Sequence, residues 1–236
     1  VTDRHAATGE VARHLAQVHG RIRAAEERFG RTPASVTLLA VSKLQGADKM
    51  RAAHAAGQAA FGESYVQEAI AKMEGLADLP LEWHFIGRIQ GNKTRWIAER
   101  FAWVHSLSDL RHARRLSEQR PDRLPPLKVC CQVNVSGESS KAGLPPDAVG
   151  DFIAHCAALP RLTLVGLMTL PAPAADPEAQ RGPFRELRLL RDRLASPSCP
   201  LRVLSMGMSD DLEAAIAEGA TLVRVGTAVF GPRLPG

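Results

Sequence analysis

Residues 202–231 read RVLSMGMSDDLEAAIAEGATLVRVGTAVFG, and their order decides the fold. A short apolar run at 202–205 is followed by the small residues of Met206-Gly207-Met208-Ser209. A helical stretch at 212–218 leads to a second apolar run at 222–225, and Gly226-Thr227-Ala228 follows it. Strand, loop, helix, strand is the unit of a parallel sheet covered by helices. Both loops follow strand ends and combine Gly with hydroxyl residues. That composition lets backbone N–H groups approach an anion, although it also makes ordinary turns.

The same alternation extends toward the N-terminus. Apolar runs at 36–42, 59–62, 83–87, 103–106, 128–135 and 163–168 bring the candidate strands to eight, with 59–62 the weakest signal. Helical patterns fill 48–56, 63–76, 93–101, 110–119, 146–158 and 178–194, which places Glu63 and Glu68 in a first turn and on a helix surface. Val11, Leu15, Val18 and Ile22 recur at helical spacing within 3–29, giving an additional leading helix that ends at Gly30. Pro and Gly mark loops at 121–126, 136–146 and 171–177, none long enough for an inter-domain linker. The expected architecture is an α/β fold, a single (β/α)8 TIM-type barrel over 1–236, whose site lies at the C-terminal strand ends. An open doubly wound sheet is the alternative.

Composition narrows the function. With 236 residues, 45% hydrophobic and 23% charged, the chain has ordinary soluble usage, and no run approaches the roughly 20 apolar residues of a membrane helix. The opening Val1-Thr2-Asp3-Arg4-His5 has no apolar signal core, so a cytoplasmic location is expected. The net charge of +5 is dispersed among acidic residues and aromatics are only 5%, which argues against nucleic acid as a partner. Cys130, Cys131, Cys156 and Cys199 form no CxxC pair and no metal-ligand spacing, so they read as reduced structural thiols and no metal is expected.

Chemistry gathers at the strand ends. Lys43 follows Leu38-Leu39-Ala40-Val41-Ser42, so an apolar strand delivers an amine to the mouth. Desolvation there would free its lone pair to attack an aldehyde, whereas a solvated strand-end lysine would do nothing. Arg224 interrupts the apolar run 222–225 and points either to a salt bridge in the helix layer or into the mouth. His84, Asn92, Lys93, Asn134 and Lys141 are further mouth candidates that can equally cap helices or satisfy loops.

These residues sit in a set of ordered motifs: LAVSK at 39–43, FGESYVQE at 61–68, WHFIG at 83–87, QGNK at 90–93, HS at 105–106, QVNV at 132–135, GLM at 166–168, LSMGMSD at 204–210 and RVGTAVFG at 224–231. In this the chain resembles the pyridoxal phosphate homeostasis protein family, relatives of the barrel domain of alanine racemases. The resemblance implies that pyridoxal 5′-phosphate (PLP) is held as a Schiff base on Lys43. It further implies that Ser205, Ser209, Gly226 and Thr227 bind the phosphate and that Arg224 faces the ring nitrogen. An arginine there disfavours ring protonation and makes a weaker electron sink than an aspartate would. Met168 is expected to pack beneath the ring. The chain departs from the family pattern at Ser64, where Asn is commoner, and at Arg88, Ile89 and Gly91 around Gln90.

The function implied is PLP homeostasis: the cofactor is buffered and delivered, apo-PLP enzymes receive it, no catalytic residue is assigned, and the chain is a monomer. Two alternatives stand beside it. A racemase-like PLP enzyme needs a second acid/base opposite the lysine, and the only tyrosine is Tyr65. A barrel binding another phosphorylated metabolite would use Lys43 only as a charge.

Overall fold

Thr37–Val41 (β1) pairs in parallel with Leu222–Val225 (β8), Leu39 opposite Arg224 and Ala40 opposite Val225, and this pairing closes the sheet. The computed structural model describes residues 2–138 and 141–232, with side chains from residue 9 onward. Both ends of the unit expected over 1–236 and two positions of the 136–146 loop lie outside the described residues. The remaining strands are Ala60–Glu63 (β2), Glu82–Phe85 (β3), Trp103–Leu107 (β4), Leu127–Gln132 (β5), Leu162–Met168 (β6) and Val203–Ser205 (β7). They run round the barrel in chain order, all in parallel, and the closure of β8 on β1 excludes the open-sheet alternative.

The leading helix is Thr2–Arg28 (α1). Between the strands lie Ala47–Ala55 (α2), Val66–Gly75 (α3), Thr94–Arg100 (α4), Leu110–Gln119 (α5), Val149–Ala157 (α6), Pro177–Leu194 (α7) and Leu212–Ala217 (α8), and Thr227–Phe230 (α9) follows β8. The stripe Val11, Leu15, Val18, Ile22 and Ala25 is buried where α1 packs on α2, α8 and α9. The buried Glu26 then fixes the entry to β1, its carboxylate accepting from the amides of Ala34 and Val36 and from the Ser35 hydroxyl.

Two differences from expectation bear on the site. Helix α3 begins at Val66, so Glu63 is the last residue of β2 and fully buried rather than a first-turn helix residue. The segment after β8 is a short helix rather than a plain loop. Lys49 Nζ holds it by donating to Phe230 O at 2.8 Å.

Candidate functional site

A cavity of about 460 Å³ opens at the C-terminal strand ends, within the range of about 300–1,000 Å³ usual for small-molecule sites. Lys43, Ser209, Arg224, Gly226 and Thr227 line it. Residues 184 positions apart, Lys43 and Thr227 (227 − 43), meet there because β1 and β8 are neighbours. Among the described residues the wall carries the cations Arg21, Lys43 and Arg224 against the carboxylate Asp210.

The backbone on either side of Lys43 is clamped. Lys72 Nζ, reaching in from α3, donates to Ser42 O at 2.7 Å, and Glu68 Oε1 accepts from Leu44 N at 2.6 Å. The same ammonium donates to Glu63 Oε1 at 2.8 Å and to Glu68 Oε1 at 2.5 Å, while the Ser42 hydroxyl donates to Glu63 Oε1 at 2.6 Å. Glu63 Oε2 is buried with no hydrogen-bond partner. Burial raises the Glu63 carboxyl above its ordinary value, against the opposing pull of Lys72.

On the opposite wall the β7–α8 loop turns at Gly207, where φ is +95° and a Cβ would sit 2.6 Å from Ala215 Cβ. Only glycine allows both the left-handed turn and this approach. Arg21 of α1 supports the loop, Nη2 donating to Ser209 O at 2.9 Å while Nε and Nη2 grip the Glu213 carboxylate at 2.7 and 2.8 Å. At Gly226 a Cβ would meet Val41 O at 3.2 Å, so a small residue lets the start of α9 press against β1. The Thr227 and Ala228 amides in that first turn have no intrahelical acceptor. Backbone donors, small residues and cations on one wall suit a phosphate.

Arg224 reaches the cavity from inside the barrel. It is 4% exposed, and burial pulls its guanidinium down to about 10, still charged at neutral pH. Nη1 donates to Ser205 Oγ at 2.7 Å and Nη2 to Thr169 O at 2.8 Å. Ser205 was expected in the phosphate cup, yet it is fully buried beneath the cavity, between Arg224 and His105 Nδ1 at 2.7 Å. As the last residue of β7 it points into the barrel, and Ser209 four residues on reaches the wall instead. Met168 is likewise fully buried, ending β6 opposite Ser205 in register, and does not line the cavity.

Other mouth candidates go elsewhere. His84 is buried in the barrel, with Nε2 on Glu82 Oε1 and Nδ1 on His105 Nε2, both at 2.9 Å. Asn134 donates to Glu138 O within its loop, and Lys141 lines a separate polar cavity with Arg88 and His112. Tyr65 and Lys93 line a neighbouring cavity of about 330 Å³ that shares Ser64 with the main one. No cluster of three or more His, Cys, Asp or Glu among the described residues is placed to hold a metal ion.

Comparison with known proteins shows the family and the fold. The alanine racemase N-terminal domain model matches residues 14–234. The pyridoxal phosphate homeostasis protein of Pseudomonas aeruginosa is 57% identical over 94% of this chain and 96% of its own. The PipY structure of Synechococcus elongatus with PLP bound is 37% identical, with a TM-score of 0.81 over 94% of this chain and all of that one. Alanine racemase from Corynebacterium glutamicum, at 19% identity and a TM-score of 0.67, shares the fold over 95% of this chain and 62% of its own length.

Proposed function

The chain belongs to the pyridoxal phosphate homeostasis proteins of the alanine racemase N-terminal domain family, and from that premise we propose that it binds PLP on Lys43 as a Schiff base, buffering and delivering it. The observation that carries this reading is the convergence on one cavity of an amine, two strand-end loops of glycine and hydroxyl residues, and a buried guanidinium.

When bound, the cofactor supplies an aldehyde that condenses reversibly with a primary amine. Lys43 provides that amine from a clamped strand end. Ser209, Thr227 and the opening amides of α9 bind the phosphate, with Arg21 steadying the loop that carries Ser209. Arg224 would offer its remaining N–H donors to the ring nitrogen and, as a cation, would disfavour protonation there. Ser205 and Met168 act from below, the first by holding Arg224 and the second as packing.

A carrier is favoured over an enzyme because a racemase-like step needs a second acid/base opposite the lysine, and the sequence's one tyrosine, Tyr65, lines the neighbouring cavity rather than this wall. We read the chain as one unit acting as a cytoplasmic monomer with apo-PLP enzymes as recipients. No helix among the described residues is long and apolar enough to cross a membrane.

The test pairs two assays. Loaded protein should restore an apo-PLP enzyme faster than its spontaneous release of PLP permits. Alanine in deuterated water should exchange its α-proton no faster than with free PLP. Rapid exchange that disappears in Tyr65→Phe would make the chain an enzyme instead.

A further inference from the structure

A continuous chain of side chains crosses the barrel from its floor to the cavity. Glu82 opens β3 at the N-terminal end, with its side chain 45% exposed. From its carboxylate the contacts run through His84, His105 and Ser205 to Arg224, at 2.9, 2.9, 2.7 and 2.7 Å. The His105–Ser205 step joins residues a hundred positions apart, and both imidazoles are buried. Trp103 stacks on His84 with centroids 5.0 Å apart and planes 9° from parallel, and Lys128 Nζ lies 4.8 Å from the Trp103 ring.

The donors can be ordered from the two ends. A guanidinium has no acceptor, so Ser205 Oγ accepts from Arg224. At the floor, the hydrogen bond from His84 holds the Glu82 carboxyl below its ordinary value, so it is ionised and only accepts. His84 Nε2 therefore carries a proton. Burial lowers both histidines, His105 well below 6.5, so both are neutral at pH 7. His84 Nδ1 then accepts from His105 Nε2–H, and His105 Nδ1 accepts the Ser205 proton. Every bond points the same way, from the cation at the mouth to the anion at the floor.

We propose that Glu82, His84, His105 and Ser205 are positioning residues for Arg224: a through-barrel relay, locked by the Glu82 carboxylate, that fixes which N–H groups the guanidinium presents to the cavity. With Nη1 held by Ser205 and Nη2 by Thr169 O, the planar group has one orientation. That Arg224 meets a cofactor rests on the function proposed above; the relay itself does not.

The experiment is nitrogen-15 NMR of the histidine rings at pH 7 in protein freed of PLP. His84 and His105 are each expected as the neutral Nε2–H tautomer. Glu82→Leu removes the terminal acceptor from a position outside the cavity wall, so both rings should lose that single tautomer. Glu82→Gln, whose amide oxygen still accepts, should restore it. In PLP-loaded protein the absorption band should shift in Glu82→Leu and return in Glu82→Gln, a pattern that mere loss of stability would not give. A cationic or Nδ1–H ring in the wild type would overturn the relay, as would rings unchanged in Glu82→Leu. Should Glu82→Leu fail to fold, the wild-type tautomers still decide. Correct tautomers without any lysine adduct would refute the cofactor reading and leave the relay standing.

Discussion

Lys72 has one charge and three acceptors, on Ser42, Glu63 and Glu68, and its side chain is 9% exposed. Removing one partner of a buried pair leaves the other charge uncompensated, at a cost of about 3–5 kcal/mol. Lys72→Met is therefore expected to destabilise the fold by about that amount near neutral pH, and to slow attachment of PLP by unclamping both sides of Lys43. The pH dependence has a defined sign. Burial already raises the Glu63 carboxyl, and without Lys72 it rises further. A carboxyl with a raised folded value binds its proton more tightly when folded, so its contribution is present below the unfolded value and fades as pH rises through the folded one. Urea unfolding should show Lys72→Met closer to wild type at pH 5 than at pH 8. A deficit independent of pH would mean that Glu63 is not the group left exposed to the loss.

At the scale of elements, α1 does more than cover the barrel. Through Arg21 it reaches Ser209 O and Glu213, and so orders the β7–α8 loop. Arg21 and Glu213 are 37% and 40% exposed, so their pairing is worth no more than about 1 kcal/mol of stability. Its consequence lies in binding. Arg21→Met should weaken PLP more than pyridoxal, which lacks the phosphate, while the urea midpoint barely moves. Equal weakening of the two ligands would detach α1 from the phosphate cup. The apolar stripe marks α1 in the sequence, but a stripe says nothing about a polar residue beside it, and no local signal marks Arg21. The eight strands were legible because each is a short apolar run between Gly, Pro and helical periods. The polar interior was not. His84 and His105 read as mouth or motif residues, since neither their burial nor the pairing of His105 with Ser205 has any local signal. Glu63 was misplaced for a similar reason, a carboxylate after Gly62 looking like the start of a helix when its partner Lys72 lies nine residues on.

For the whole molecule, closure of β8 onto β1 is the event that makes a site. It sets the amine of the first strand beside the glycine and threonine that follow the last, while the relay enters from the barrel interior. Cys130, Cys131 and Cys156 are buried as free thiols, and burial lifts the first and third to about 12, which keeps them protonated and unreactive. The proposed function depends on covalent attachment at Lys43. It is tested by loading the protein with PLP, reducing with borohydride and mapping the pyridoxyl group by mass spectrometry. The account predicts one adduct, on the peptide containing Lys43, and none in Lys43→Ala that still folds. An adduct confined to another lysine, such as Lys49 or Lys141, or an unmodified Lys43 in loaded protein, would contradict it.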